Sequence, residues 1–191
     1  MLISKVLGLI GLVVTIWVFY FFRDPDRYSI QYNNYLVSPA DGLITDISER
    51  SGPVELRLEN TTYTRVSIFM NVFNCHVNRV PTSCKLEEIY YKPGKFLNAS
   101  LDKASEENER NFFKIISKKD KEEIVIVQIA GLIARRIVCD VEQGQDLNQG
   151  DRIGMIRFGS RVDIYFKNKK VLAKLGQNVV AGESLIASES V

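Results

Sequence analysis

The sequence is poor in the residues that most often carry redox, metal or nucleic-acid chemistry. Its 191 residues hold one histidine, His76, and three cysteines, Cys75, Cys84 and Cys139. An odd number, long spacings and no Cys-x-x-Cys speak against a disulfide framework and against a zinc site. The cysteines read as small buried hydrophobes in a reducing setting. A formal net charge of +2 is too small to argue for nucleic acid, and no Lys/Arg-rich run is interleaved with aromatics. The slight basic excess suits an anionic membrane surface. Neither Gly-x-Gly-x-x-Gly nor a Walker A pattern is present, so Gly131, Gly144, Gly150 and Gly154 do not make a phosphate-binding loop. A Gly-x-Ser-x-Gly elbow is also missing, which disfavours an α/β-hydrolase.

One long apolar run is present. Val6 to Phe22 is 17 residues without a charge, about 26 Å as a helix against a hydrocarbon core of about 30 Å. Leu2 and Ile3 extend it at one end, and Trp17 and Tyr20 suit a membrane interface at the other. No small-x-small cleavage site follows, so the run reads as an uncleaved anchor. Pro25 in Arg23-Asp-Pro-Asp-Arg27 ends it. From about Leu36 the pattern turns β-like. Tyr63 to Val72 alternates, with Val66, Ile68, Met70 and Val72 on one face. Further strands are expected over Lys85 to Tyr91, Glu123 to Ile129, Arg136 to Cys139, Ile153 to Phe158 and Val162 to Phe166, punctuated by Gly, Pro and Asn. The polar stretch Leu101 to Arg110 is a short exposed helix or a loop. The expected class is mainly β (α+β), with an N-terminal membrane helix followed by one compact β-rich domain. The expected boundaries are 1–27 for the anchor and its exit turn and 28–191 for the domain.

Three residues supply the parts of an activated hydroxyl nucleophile. His76 follows an apolar strand, precedes the turn Asn78-Arg79-Val80-Pro81, and is the one side chain whose unperturbed pKa suits a general base near neutrality. Asp41, in Ser38-Pro-Ala-Asp-Gly42, is either an Asp-Gly turn residue or a carboxylate that orients His76. Ser160, in Phe158-Gly-Ser-Arg161, lies between two strand-like segments and is ordinary turn chemistry on its own. Arg135 and Arg136 could grip a phosphate in bidentate fashion or edge a solvated strand.

Seven segments in order carry a family resemblance: Phe21-Phe-Arg-Asp-Pro25, Ser38-Pro-Ala-Asp-Gly42, Phe69-Met-Asn-Val-Phe-Asn-Cys-His-Val-Asn-Arg-Val-Pro81, Pro93-Gly-Lys-Phe96, Asn108-Glu-Arg110, Gln128-Ile-Ala-Gly-Leu-Ile-Ala-Arg-Arg-Ile137 and Gly154-Met-Ile-Arg-Phe-Gly-Ser-Arg-Val-Asp163. Together they resemble the phosphatidylserine decarboxylase proenzymes, in their short form. The resemblance implies that Ser160 attacks the carbonyl of Gly159, that the chain is cut between them, and that Ser160 becomes a pyruvoyl group. It implies two products, 1–159 and 160–191, no metal, and a Schiff base between the new ketone and the amine of phosphatidylserine. His76 would move the protons, with Asp41 behind it. The expected location is the inner membrane, with the globular part on the cytoplasmic side. Longer members show Leu-Gly-Ser-Thr at the cut and a second histidine; this chain has Phe-Gly-Ser-Arg and His76 alone. Two other readings exist. Val171 to Ala187, with its Gly176 and Gly182 turns, is similar to lipoyl and biotinyl carrier domains, but none of Lys167, Lys169, Lys170 and Lys174 sits in a carrier motif. A membrane-anchored serine hydrolase using Asp41, His76 and Ser160 would keep its backbone intact.

Overall fold

The structure, a computed structural model, describes residues 2–32, 34–97, 106–131, 136–157 and 160–189, with the backbone alone for residues 2, 3 and 160. The apolar run forms α1, Leu2–Phe21. Its side chains project away from the rest of the chain: Phe19 is 78% exposed, whereas Phe21, at the last position, is fully buried. The segment Ser4–Phe21 is long and apolar enough to cross a membrane. The helix ends at Phe21, four residues before Pro25, which would in any case bar helix at Asp24, and a strap follows over the domain. Along it Asp24 accepts a hydrogen bond from Arg79 at 3.0 Å and forms an ion pair with Arg152 at 2.5 Å, and Arg27 reaches Asp41 at 2.8 Å.

The remaining elements are strands: β1 Tyr35–Val37, β2 Gly42–Ser51, β3 Thr62–Met70, β4 Val77–Arg79, β5 Cys84–Lys92, β6 Arg110–Ser117, β7 Glu123–Ala130, β8 Arg136–Cys139, β9 Asp146–Leu147, β10 Arg152–Arg157, β11 Ser160–Phe166, β12 Lys169–Val171, β13 Asn178–Val179 and β14 Leu185–Glu189. Eight of them form one sheet in the order β13-β2-β3-β11-β7-β6-β5-β9, and two three-stranded sheets, β4-β10-β8 and β1-β14-β12, complete the domain. The β-rich class expected from the alternation is the one observed. The carrier-like stretch holds β12, β13 and β14, with Gly176 and Gly182 at φ +79° and +78° in its turns.

The alternation of β3 places Val66, Ile68 and Met70 on the core face, where Val66 stands opposite Ile164 and Ile68 opposite Val162. Val72 falls beyond the strand end. The sequence pattern suggests one buried face, but the other face is covered as well: Tyr63, Arg65 and Ser67 are all buried. The excursion between β2 and β3 folds back over that face, and Leu56 packs there with Phe112, Val125, Val127 and Ile129. Each large apolar side chain so buried is worth about 1.5–3 kcal/mol. Of the cysteines, Cys75 and Cys84 are buried as expected. Cys139 is exposed, because β8 is an edge strand. Of the polar stretch at Leu101 to Arg110, residues 101–105 lie outside the described set, and Arg110 already begins β6.

Candidate active site

Three strand ends converge at one end of the large sheet. β2 begins at Gly42, β3 ends at Met70 and β11 begins at Ser160, which stands opposite Met70 on one side and Ala130 on the other. Gly42 is needed for this approach: a Cβ there would sit 2.2 Å from the carbonyl oxygen of Phe69. The link from Arg157 to Ser160 carries the chain from the β4-β10-β8 sheet into the large sheet. Phe158 and Gly159, within that link, lie outside the described residues, so the geometry of the expected cut is not part of the site as described.

His76 follows the turn that β3 leads into. Asn71 closes that turn, its side chain accepting from the Phe73 N–H and its carbonyl from the Asn74 N–H. The His76 carbonyl accepts from the Ile156 N–H at 3.3 Å, which ties the residue to β10 four positions before Ser160. The imidazole is fully buried, stacked against Phe21 with ring centroids 4.3 Å apart. Its Nδ1 lies 3.0 Å from the Asn74 carbonyl oxygen. A carbonyl can only accept, so Nδ1 carries the hydrogen and Nε2 is the basic nitrogen. Burial pushes the His76 pKa down to about 4, against the pull of the Asn74 carbonyl and assisted by the nearby Arg23 charge. The ring is therefore neutral at pH 7, the state of a base.

Asp41 is also buried, but its contacts are not to His76. One oxygen accepts from Arg27, the other from the Ala181 N–H at 2.7 Å. The segment around it is clamped to the same turn: the Ser38 N–H reaches the Ser184 carbonyl at 2.7 Å, and the Gly182 N–H returns to the Ser38 carbonyl at 2.8 Å. The structure thus brings the His76 backbone and β10 together and ties Asp41 to residues 181–184, without joining the two side chains. Arg135 lies outside the described residues; Arg136 is exposed on β8, directly opposite Arg157. A buried polar chain lies beside the site. Asn78 accepts from Gln128 at 2.8 Å and points its amide at the Met70 sulfur, and Gln128 accepts from Asn111 at 3.3 Å.

A family model described as phosphatidylserine decarboxylase matches residues 14–187. The chain is 63% identical over 187 residues to a phosphatidylserine decarboxylase proenzyme of Pelagibacter ubique (strain HTCC1062), across 98% of this chain and 86% of that protein. It is 50% identical over 187 residues to the proenzyme of Ruegeria pomeroyi (strain ATCC 700808 / DSM 15171 / DSS-3), across 97% and 85%. It is 52% identical over 186 residues to that of Rickettsia akari (strain Hartford), across 96% and 80%. The chain belongs to the phosphatidylserine decarboxylase family. It is a carboxy-lyase, and a membrane-anchored serine hydrolase is not supported.

In this decarboxylase, sequence reasoning missed Phe21 as a wall of the His76 site, the Asn74 carbonyl that sets its tautomer, and Arg157. Phe21 stands in a quoted family segment, but an apolar residue at the end of an apolar run gives no sign that it turns inward. Arg157 follows a core residue, Ile156, on a strand, so period two alone puts it on the outward face.

Proposed function

We propose that the chain is a proenzyme that cuts itself between Gly159 and Ser160 and then decarboxylates phosphatidylserine to phosphatidylethanolamine. The observation that carries the maturation step is His76, buried, neutral, with Nε2 as its basic nitrogen and its backbone held to Ile156, just upstream of the cut. In this reading Nε2 takes the Ser160 hydroxyl proton as the oxygen attacks the Gly159 carbonyl carbon. A C–O bond forms, the C–N bond to Ser160 breaks, and the Ser160 nitrogen takes up a proton. Such base assistance is typically worth about 10²–10⁴-fold. Loss of the Ser160 Cα proton then expels Gly159 as a carboxylate and leaves dehydroalanine. Water replaces its nitrogen, ammonia departs, and residue 160 ends as a pyruvoyl group. Gly159 suits the attack because it has no Cβ to obstruct it.

The surroundings of Ser160 fit a group made in place. β11 lies between β3 and β7, and β10 between β4 and β8, so both new ends stay anchored after the cut. Once formed, the pyruvoyl carbonyl supplies the electron sink for the departing carboxylate. His76 serves the second reaction as the group that returns a proton to the substrate carbon. Asp41 serves as a positioning residue, holding the Arg27 strap and residues 181–184 in place. Residues 1–27 act as anchor and exit turn, and 28–191 as the decarboxylase domain. The domain lies on the cytoplasmic side of the inner membrane, as a heterodimer of 1–159 and 160–191.

Intact mass of purified protein tests the proposal. Two pieces are expected, the smaller one blocked to Edman sequencing because its amine is gone. Ser160→Ala stays whole. Active material consisting of a single uncut chain sinks the reading.

A further inference from the structure

Directly opposite residues of antiparallel strands bring their Cβ atoms to about 4.5–5.5 Å, and like charges placed there repel. Arg136 and Arg157 are such a pair. Their neighbours Ile137 and Ile156 face the core, so both arginines share the other face of the β4-β10-β8 sheet. Neither makes an ion pair with a carboxylate among the described residues, and the Nε of Arg157 is sealed from solvent without a hydrogen-bond partner among them. The nearby Glu109 carboxylate accepts from the Ile137 N–H at 3.2 Å and forms no ion pair with either arginine. The position adds to the chemistry. The Arg157 guanidinium lies 5.9 Å over the ring of Phe22, just past the end of α1. Arg23 stacks 3.9 Å from the Tyr20 ring and donates to the Phe73 carbonyl at 2.8 Å. Tyr20, Phe22 and Phe73 are all exposed, the aromatic rim expected at the depth of lipid head groups.

We propose that Arg136 and Arg157 form a phosphodiester site that seats the head group of the substrate lipid. The proposal rests on the reading of Ser160 above. An anion between the two guanidinium groups removes the repulsion that their pairing creates, and guanidinium forks match phosphate oxygens in geometry. Two residues lie between Arg157 and Ser160, so at most about 10 Å of extended chain separates them, which is the reach of a side chain and a head group together. The phosphate contact, common to substrate and product, holds the lipid while the carboxylate is lost at residue 160.

The test uses the full-length protein in mixed micelles of non-ionic detergent and phosphatidylserine. Arg136→Gln and Arg157→Gln are expected to raise KM about ten-fold, the loss of one charge-assisted hydrogen bond, with kcat little changed. Phosphatidylglycerol, a phosphodiester that is not a substrate, competes with the wild type and loses that effect in both variants. Competition by phosphatidylglycerol alone assigns the site to lipid; equal competition by inorganic phosphate assigns it to a simple anion and overturns the head-group proposal. Unchanged KM and unchanged competition in the variants overturn it as well. Arg136→Gln lies far in sequence from the cut and carries the test should Arg157→Gln fail to mature. An arm without catalysis separates this proposal from the functional one. Short-chain phosphatidylglycerol should broaden its phosphorus resonance with uncut Ser160→Ala protein, and the broadening should vanish when Arg136→Gln is added. Broadening with no decarboxylation by the wild type would retain the site and remove the function.

Discussion

The ring of Phe21 lies 4.3 Å from that of His76, with the two planes inclined by 34°. The last residue of the apolar helix is thus a wall of the site that holds the one histidine. Exposed Tyr20 and Phe22 flank it, so the helix end turns a single side chain inward. Under the proposed mechanism this contact would link the apolar helix to the chemistry. Phe21→Ala should admit water to the ring and let the His76 pKa climb from about 4 toward its ordinary 6.5. The acid limb of the self-cleavage rate should move upward by the same path, because in the proposed mechanism only neutral imidazole accepts the Ser160 proton. Phe21→Leu, which still excludes water, should leave the limb near its original place. Self-cleavage of freshly synthesised chain across pH 4 to 8 reads this out; coincident limbs for wild type and Phe21→Ala would remove Phe21 from the site's electrostatics.

The same burial sets an acid limit on stability. The folded pKa of His76, about 4, lies below the unfolded 6.5. Between those values the unfolded chain binds a proton that the folded chain does not, so stability rises with pH there and is lost as pH falls from 6.5 to 4. The full difference is on the order of 3 kcal/mol. In uncut Ser160→Ala protein, thermal midpoints should fall across that window, and adding His76→Gln should flatten the fall. A slope unchanged by His76→Gln would assign the acid sensitivity to other groups.

Asp41 separates two ways of helping His76. If it oriented the ring directly, Asp41→Asn would reshape the pH profile of cleavage. In the structure its oxygens hold Arg27 and the Ala181 N–H instead. Asp41→Asn keeps an acceptor for Ala181 and loses the charge pair. Asp41→Ala loses both and leaves a buried N–H unmet, a further penalty of about 1–3 kcal/mol. Cleavage should slow in the order wild type, Asn, Ala, with melting temperatures falling in the same order and the pH profile unmoved. A displaced profile with an unchanged melting temperature would restore the direct role.

Much of the fold was legible because its signals are periodic. The charge-free run became the helix Leu2–Phe21, which ends four residues before Pro25, and the alternation around Ile68 became β3. Buried and exposed alternation cannot reveal a second covering layer, so the burial of Tyr63 and Arg65 beneath the Leu56 excursion was not legible. Nor does residue type report direction at an element's end, which is why Phe21 went unseen. His76 and Asp41 stood out by scarcity and by motif. Their separation did not, because it depends on which turn each backbone joins: His76 to β10, Asp41 to residues 181–184.

Cleavage at Gly159 should change the covalent structure without loosening the fold. The fragment 160–191 would comprise β11 to β14 and contribute Val162, Ile164, Phe166, Val179 and Ile186 to the core. β11 is paired along its length with β3 and β7, β13 with β2, and β14 with β1. Those five apolar side chains alone correspond to roughly ten kcal/mol of burial at about 1.5–3 kcal/mol each, and the paired backbone adds hydrogen bonds that have no partner once the fragment leaves. The fragment therefore has no route out short of unfolding the sheet. The two pieces should co-elute in non-denaturing detergent and separate only in denaturant. Dissociation should share its midpoint with the loss of tertiary signal. Release of the small piece under native conditions, with the remainder still folded, would contradict a central place for β11 in the sheet.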